Sequence, residues 1–315
     1  MAPSSTWCGR SSPWCSEMRG NIGALAVEAM LYEVSATPKP GLVDRRGNGA
    51  HHDMDFFTFM SSAAALRSSF DEFAAIGRAR GGEPAENLLP YLQSAWIVAE
   101  RRMFQMTRGV NTHKGMIFSL GILTGAAGWA ASRREPLRPE YLGELSAAMC
   151  RGLCAREYGN IRDGADLTKG EAMYLKYGVT GARGEAEKGF PTVREIALPV
   201  YSADRLAGMD INDALVDTLL HLLAKSMDTN ILGRHDMKTM KYVQRTAAMA
   251  LSKGSVHTEE GREAIEAMDD DFTARWISPG GCADLLAVTH FLYSLEELYA
   301  RSGKYSGARV LSLND

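Results

Sequence analysis

The sequence predicts an all-α protein built as one multi-helix bundle. Apolar residues recur at the 3.6-residue spacing of an amphipathic helix along most of the chain, and no run alternates as a strand would. Ala, Leu, Met, Glu and Arg, which favour helices, fill these periodic stretches. No internal repeat and no Pro-rich linker follows residue 20, so residues 21–315 are expected to form a single domain.

The predicted helices are separated by polar, glycine-rich segments, and helix boundaries are approximate. In chain order the helices are expected at about residues 21–36, 54–79, 84–107, 113–131, 138–157, 165–176, 191–206, 211–226, 235–252, 259–273 and 281–302. The polar segments that carry Lys, Arg, His or a carboxylate are 37–55, 108–115, 158–190, 227–236 and 277–284. Loops of this kind on a rigid scaffold often carry function, so we expect them to share one cleft.

The first 20 residues differ from the rest of the chain. They are rich in Ser, Pro and Trp, show no signal-peptide pattern, and are predicted to form a poorly ordered extension, with Met18 as an alternative start. The five cysteines show no zinc-type spacing, which suggests reduced thiols in a cytoplasmic protein.

Bulk charge excludes some ligand classes. The net charge of -3 provides no general basic field for nucleic acid or an anionic membrane. No apolar run is expected to reach the length needed to cross a bilayer. An anionic ligand would therefore need a local cluster of cations.

The segment at 38–55 is the strongest candidate for one wall of a site. Two prolines and a glycine end the preceding apolar helix, and the segment then mixes cations, imidazoles and carboxylates with few apolar residues. Packing alone does not require this composition. Its candidate residues are Lys39, Asp44, Arg45, Asn48, His51, Asp53 and Asp55.

The segment at 109–115 predicts a phosphate-binding helix start. Asn111 or Thr112 suits the N-cap, and His113 and Lys114 then lie in the first turn. A cation there opposes the helix dipole unless an anion is bound, although a solvated lysine would also fit. The glycines that follow are expected to permit close helix contact and to have no ligand role; they are Gly115, Gly121, Gly125 and Gly128.

A third candidate segment runs from residue 169 to residue 186. Gly178, Gly181 and Gly184 recur at every third position, which suits either a ligand-approaching backbone or a structural turn. Arg183 offers a planar fork for phosphate. The other candidates in this segment are Glu171, Lys176 and Glu185.

Two further helix starts carry polar groups. Asp228 and Asn230 precede Arg234 and His235, and Ser278 precedes Asp284 at the last helix. Helix capping with solvated cations explains these residues about as well as function does. The acids Asp44, Asp53, Asp55, Asp228 and Asp284 together would suit Mg²⁺ bound jointly with substrate phosphates. The remaining histidines are read as structural or solvated; they are His221, His257 and His290.

Taken together, these segments resemble the triphosphoribosyl-dephospho-coenzyme A synthase family. The resemblance begins with Pro-Lys-Pro-Gly-Leu-Val-Asp-Arg at 38–45 and covers about residues 21–300. The matching segments follow the family's order and are 38–45, 49–51, 53–55, 109–115, 181–186, 189–191, 228–230 and 278–286. Cys282 departs from the pattern by occupying a small-residue position.

The resemblance implies an all-helical enzyme whose partners are ATP and 3′-dephospho-coenzyme A. A ribose hydroxyl of the acceptor would displace adenine from the anomeric carbon of ATP. The product would be the prosthetic-group precursor for the acyl carrier protein of citrate lyase or malonate decarboxylase. No nucleic acid or membrane partner is expected, and the choice of target and the oligomeric state stay open.

The same resemblance suggests roles for the candidate residues. The candidate acids or bases are Glu185, Glu171 and Asp44, with His51 and His113 as alternates. The candidate substrate- and phosphate-binding residues are Lys39, Arg45, Asn48, Asn111, Lys114, Lys176, Arg183, Asn230, Arg234 and Ser278. The candidate ligands for the expected Mg²⁺ are Asp53, Asp55, Asp228 and Asp284.

Two other functions remain open at the level of sequence. A Mg²⁺-dependent nucleotide or ADP-ribosyl hydrolase would use similar loops, with water replacing the hydroxyl acceptor. A nucleotide-binding protein without activity would bind ATP and release no adenine. An assay for adenine with and without the acceptor distinguishes all three.

Overall fold

Helices form nearly all the regular structure in a computed structural model that describes residues 13–159, 161 and 167–300, with side chains from residue 22 onward except at Lys169. These residues contain no β-strand, so the all-α prediction is confirmed. The α-helices are α1 (Pro13–Ser35), α2 (Phe56–Ala65), α3 (Arg67–Ala79), α4 (Leu89–Met106), α5 (Lys114–Arg133), α6 (Pro139–Met149), α7 (Leu153–Tyr158), α8 (Lys169–Tyr177), α9 (Gly181–Glu187), α10 (Leu198–Leu206), α11 (Ile211–Lys225), α12 (Thr229–Arg234), α13 (Met237–Ser252), α14 (Glu259–Ala274) and α15 (Gly280–Tyr299). Shorter turns are the 3₁₀ segments Ala85–Asn87 and Ser255–His257 and a π-helical turn, Val193–Ala197.

The predicted helices are found, with differences where caps interrupt or extend them. The predicted helix at 54–79 divides at Leu66, and the one at 138–157 divides before Gly152, which has the left-handed φ of 71°. The helix α1 already begins at Pro13, and residues 1–12 of the predicted extension lie outside the described residues. The predicted start of α8 near residue 165 also lies outside them.

Two short helices occupy segments that were predicted as loops. The helix α9 covers the end of the third candidate segment, and α12 follows Asp228, whose side chain caps it. Helices of six or seven residues are too short to show a periodic apolar pattern, and tertiary contacts stabilise them instead. The polar character of these segments therefore did not exclude a helix.

The helix α5 lies at the centre of the bundle. Almost every residue from Met116 to Ala131 is buried, and the helix packs against α1, α3, α4, α6 and α15. A Cβ added at Gly128 would lie 2.2 Å from the carbonyl oxygen of Ala74, so α3 and α5 can approach only because this residue is glycine. The predicted helix-contact role holds for this glycine.

The length and composition of α5 also correct one expectation. Among the described helices it alone is long and apolar enough to cross a membrane, with 20 residues and a mean hydropathy of 1.3. The expectation that no apolar run reaches that length was wrong for this helix. Because 83% of the apolar window is buried inside the fold, its composition is also that of a core helix.

The packing of the helices in the second half of the chain determines where the site forms. The helix α11 packs against α10, α13 and α15, and α15 also packs against α1 and α5. The N-terminal ends of α5, α12 and α15 therefore meet the segment that follows α1. Helix N-termini present free N–H groups and the positive end of the helix dipole.

Candidate active site

The segment after α1 is organised around the buried carboxylate of Asp44. Its Oδ2 accepts hydrogen bonds from the backbone N–H of Lys39 (2.9 Å) and the hydroxyl of Thr37 (2.8 Å). Its Oδ1 accepts from the backbone N–H groups of Arg46 (2.7 Å) and Gly47 (3.2 Å). Both oxygens are thus occupied in shaping the loop, and Asp44 does not line the cleft described below.

The same segment is tied to the second half of the chain. Arg45 donates to the carbonyl oxygen of Ser35 (2.5 Å) and to Oδ1 of Asn212 on α11 (2.8 Å). The backbone N–H of Gly41 donates to Oδ1 of Asp269 on α14 (3.0 Å). These contacts fix the loop, and they direct the Arg45 guanidinium toward α11.

A buried ion pair lies under the loop. Lys39 Nζ contacts Glu33 Oε1, and their side chains are 1% and 2% exposed. Burial raises the pKa of Glu33, and the ammonium of Lys39 opposes that rise. Removing both charges from water costs free energy, so a buried ion pair is weak evidence that the two residues serve only to stabilise the fold. Both residues line the cleft, and Glu33 was not among the predicted site residues.

His51 forms another part of the cleft lining. Its Nε2 lies 2.9 Å from the hydroxyl of Ser278, and its Nδ1 lies 3.7 Å from Oδ1 of Asp53. Burial lowers the pKa of His51, and the charge of Arg234 lowers it further, while Asp53 opposes the shift. The imidazole is therefore neutral at pH 7 and can accept a proton.

The start of α5 contributes the third side. The side chain of Asn111 accepts a hydrogen bond from the backbone N–H of Lys114 (3.2 Å), and Lys114 Nζ lies 3.1 Å from Glu100 Oε2. His113 is fully buried behind this turn, where its Nδ1 lies 2.8 Å from the Ser62 hydroxyl. Burial, with a contribution from the charge of Lys39, lowers the pKa of His113 to about 3. His113 is thus a neutral buried group that does not line the cleft.

Asp284 lies in the second turn of α15 and faces the cleft. Burial raises its pKa well above the ordinary value, and the charges of Glu33 and Asp228 raise it further. No hydrogen bond or ion pair from another described residue reaches its carboxyl group. A Cβ added at Gly115 would lie 1.9 Å from Asp284 Oδ2. Gly115 therefore makes room for this carboxyl, in addition to the helix contact expected for it.

Asp228 connects two helix starts. Its Oδ1 accepts from the backbone N–H groups of Asn230 (2.7 Å) and Ile231 (3.2 Å), and its Oδ2 accepts from Cys282 N–H (2.8 Å). Both oxygens are occupied by backbone donors, and the residue lies behind the cleft wall. Its contacts hold α12 against α15 and place the side chain of Asn230 at the cleft.

These elements enclose a cleft of about 270 Å³. It is lined by both halves of the chain, with residues of α1 and α5 from the first half and of α12 and α15 from the second. The predicted site residues that line it are Lys39, His51, Asp53, Asn111, Lys114, Asn230, Arg234, Ser278 and Asp284.

Comparison with known proteins identifies the family. The family model described as ATP:dephospho-CoA triphosphoribosyl transferase matches residues 19–303. This chain belongs to that family. A 2-(5''-triphosphoribosyl)-3'-dephosphocoenzyme-A synthase of Escherichia fergusonii is 44% identical over 271 residues, covering 86% of this chain and 89% of the relative. The protein of that name from Klebsiella pneumoniae is 44% identical over 268 residues, covering 85% and 88%. No solved structure matches the chain.

Several residues predicted for a transferase site lie outside the cleft. Glu185 on α9 is partly buried and accepts hydrogen bonds from the hydroxyl (2.6 Å) and backbone N–H (3.2 Å) of Thr192. Burial raises its pKa. Glu171 forms a reciprocal capping box with Thr168 at the start of α8. The structure does not bring either acid to the cleft, and it gives both of them local structural partners.

Other predicted residues outside the cleft also interact with neighbouring residues. Asp55 caps α2 through a reciprocal capping box, and Arg183 pairs with Glu157. Lys176 lies over the ring of Tyr177, 4.9 Å from its centroid. The predicted residues that do not line the cleft are Asp44, Arg45, Asn48, Asp55, His113, Glu171, Lys176, Arg183, Glu185 and Asp228.

The cleft also contains residues that the sequence did not single out for it. Glu33 lies inside the apolar pattern of α1, where a single acid is ordinarily read as a solvated position. Thr112 and Thr229 line the cleft from the starts of α5 and α12, and Gly170 does so from α8. A polar residue on the buried stripe of an otherwise apolar helix is the signal that could have identified Glu33.

Proposed function

We propose that this protein transfers the triphosphoribosyl group of ATP to a ribose hydroxyl of 3′-dephospho-coenzyme A and releases adenine. Membership of the transferase family supports the reaction. One structural observation carries the assignment of the site: Asp284, a carboxyl of raised pKa without a protein partner among the described residues, faces a cleft lined by a buried Glu33–Lys39 pair and a neutral His51.

The reaction requires one bond to break and one to form at the anomeric carbon of ATP. The C1′–N9 bond breaks and its electron pair leaves with adenine, while an oxygen lone pair of the acceptor hydroxyl forms the new C1′–O bond. Positive charge develops on the ribose in the transition state, as in other glycosyl transfers. The acceptor hydroxyl loses a proton and the departing adenine gains one, so no net proton is consumed. The triphosphate stays on the transferred ribose because no bond to phosphorus breaks.

Asp284 and His51 supply suitable groups for the two proton transfers. A carboxyl of raised pKa keeps its proton to higher pH than a free one and can donate it to the departing base. A histidine of lowered pKa stays neutral and can accept the proton of the attacking hydroxyl. These opposite shifts favour a protonated acid and an unprotonated base at the same pH, which is what an acid–base pair requires.

Charge in the cleft supports a role for Mg²⁺. With Asp284 protonated, two charged acids and three cations line the cleft: Glu33, Asp53, Lys39, Lys114 and Arg234. A triphosphate therefore meets an excess of only one positive charge from the lining, and a divalent cation bound to its oxygens would supply the rest. Asp53, whose side chain is 63% exposed, is the ligand we propose for this ion. Lys114 and Arg234 would contact phosphate oxygens.

The cleft volume limits how much of the two substrates is enclosed. Small-molecule sites usually span about 300–1,000 Å³, so a cleft of about 270 Å³ is small for two nucleotides. We propose that it holds the reacting ribose and triphosphate, while the pantetheine arm of the acceptor lies outside. The product would then serve the acyl carrier protein of citrate lyase or malonate decarboxylase in the cytoplasm.

The deciding experiment measures free adenine and the triphosphoribosyl product from ATP and Mg²⁺, with and without dephospho-coenzyme A. We expect both products only when the acceptor is present. Adenine release at the same rate without acceptor would indicate a hydrolase, and ATP binding without adenine release would indicate a non-enzymatic role. Both results contradict the proposal.

Two matched acid variants test the placement of the proton donor. Asp284→Asn should bind ATP and lose about 10²- to 10⁴-fold in kcat, the usual contribution of an acid–base group. Glu185→Gln should keep kcat within about threefold and lower thermal stability, because its carboxylate supports Thr192. The reverse pattern would place the chemistry at α9, as the sequence-based hypothesis has it.

A further inference from the structure

A cluster of metal-type ligands lies away from the cleft. It joins Asp204 near the end of α10, Asp217 in the middle of α11 and His257 in the 3₁₀ turn before α14. One ligand atom from each residue lies within 4.8 Å of the other two. None of the three lines the cleft, and the proposed transfer reaction uses none of them.

The two carboxylates are buried, and that of Asp204 is incompletely satisfied. Asp204 is 8% exposed and Asp217 is 4% exposed. The Oδ2 atom of Asp204 is buried and has no hydrogen-bond partner, although its carboxylate faces Asp217 and His257. Leaving such an acceptor unsatisfied costs about 1–3 kcal/mol or more for a charged group. Two adjacent buried carboxylates also repel each other unless a proton or a cation lies between them.

Neighbouring groups do not remove this conflict. His221 Nε2 lies 3.6 Å from Asp217 Oδ2 on the same helix. The cation of Arg262 pairs with Asp213, one turn earlier on α11. Burial and the nearby charge of Asp217 raise the pKa of Asp204 to about 6, and His257 opposes that rise. A proton shared by the two acids is therefore the alternative against which a cation must be tested.

We propose that Asp204, Asp217 and His257 bind one divalent transition-metal ion, such as Zn²⁺, that joins α10, α11 and the turn before α14. Two carboxylate oxygens with one imidazole nitrogen suit a first-row transition metal, whereas Mg²⁺ and Ca²⁺ prefer oxygen ligands alone. An ion of charge +2 neutralises both acids and gives the unsatisfied oxygen a partner. The exposed His257 leaves an entry path for the ion and room for water to complete its coordination.

The spacing requires a modest adjustment. Ligands of a tetrahedral ion bound at about 2.1 Å lie about 3.4 Å apart. The observed upper limit of 4.8 Å therefore closes by at most about 1.4 Å. His257 belongs to a short turn that can make this movement more easily than the two helices can.

The ion would have a structural role. The helix α11 also carries Asn212, which accepts a hydrogen bond from the backbone N–H of Thr37 (2.9 Å) at the start of the cleft loop. Fixing α11 to α10 and to the turn before α14 would hold this anchor in place. We therefore expect the metal to raise thermal stability, with any effect on turnover being indirect.

The test uses the untagged full-length protein, treated with a chelator and dialysed. Co²⁺ serves as the spectroscopic probe and Zn²⁺ as the probe for calorimetry and thermal melting. We expect one equivalent to bind, with a ligand-field absorption from Co²⁺ and a rise in Tm of several degrees with Zn²⁺. Asp204→Asn and His257→Gln should weaken binding at least tenfold and abolish the rise in Tm, whereas Glu263→Gln, which alters an exposed acid on α14, should retain both.

Three results would overturn the proposal. The first is the absence of stoichiometric binding to the wild-type protein. The second is equal binding to wild type and His257→Gln; because His257 is exposed, this variant is expected to fold even if Asp204→Asn is not. The third combines two findings: metal-free Asp204→Asn has a higher Tm than the wild type, and the Tm of the wild type does not respond to Zn²⁺. Together they would show that Asp204 and Asp217 share a proton and bind no metal.

Discussion

Replacing Gly115 with alanine should separate stability from activity. The added Cβ would lie 1.9 Å from Asp284 Oδ2, and its three nearest neighbours all belong to that carboxyl group. An ordinary contact begins near 3.4 Å, so the carboxyl must move by about 1.5 Å. A misplacement of about 1 Å at a reacting group can cost about 10²-fold in rate, or about 2.7 kcal/mol in activation free energy. Alanine in place of glycine within a helix instead tends to stabilise, by about 0.5–1 kcal/mol.

The expected result for Gly115→Ala is therefore an unchanged or higher Tm with kcat reduced about 10²-fold. Adenine release measured under saturating ATP and acceptor gives kcat, and thermal melting gives Tm. Gly82→Ala is the control, because a Cβ there meets no atom within 4 Å. Combining Gly115→Ala with Asp284→Asn should add little to the loss from Asp284→Asn alone. A Gly115→Ala enzyme with kcat within threefold of wild type, or fully additive losses in the double variant, would refute the role given to Asp284.

Three further predictions concern the ion pair, the pH profile and the metal. Lys39→Met should destabilise the fold by about 3–5 kcal/mol at pH 8, since it leaves Glu33 buried without its partner. Because burial raises the pKa of Glu33, this carboxyl takes up a proton in the folded state as pH falls, and the unpaired buried charge disappears. The loss of stability, measured by denaturant titration, should therefore be smaller at pH 5 than at pH 8, and equal losses would contradict the prediction. The kcat/KM profile should be bell-shaped, falling at low pH as His51 protonates and at high pH as Asp284 loses its proton, and Asp284→Asn should remove only the high-pH limb. Asp53→Asn should raise the Mg²⁺ concentration needed for half-maximal activity several-fold with an unchanged Tm, whereas an unchanged Mg²⁺ requirement would remove Asp53 from the metal site.

The fold class was largely predictable because it depends on local periodicity. The helices α1, α5 and α15 are long and rich in apolar residues, and helices of that kind can be recognised without knowing their neighbours. The short helices α9 and α12 were missed because their stability comes from caps and from contacts with other elements. A cap such as Asp228 is visible in the sequence, but the length of helix that it starts is not.

The sequence predicted segments that contribute to the site, but it did not show which residue in each segment faces the cleft. Asp228 and Asp284 look alike in sequence, since each is an acid at a helix start. In the structure, three backbone N–H groups occupy Asp228, and no hydrogen bond from another described residue reaches Asp284. Likewise Asp44 and His51 belong to one loop, yet Asp44 turns inward to hold it and His51 faces the cleft. Which way each side chain points depends on partners that are distant along the chain.

The sequence by itself determined the helical scaffold, several polar segments that line the cleft and the family to which the chain belongs. These properties follow from residue type and from spacing over a few turns. Only the tertiary structure placed Glu33 beside Lys39 and aligned Gly115 with Asp284. It also brought Asp204, Asp217 and His257 together. The physical reason is that burial and pairing set the pKa of an acid or base, and both arise from contacts between elements that the chain order keeps apart.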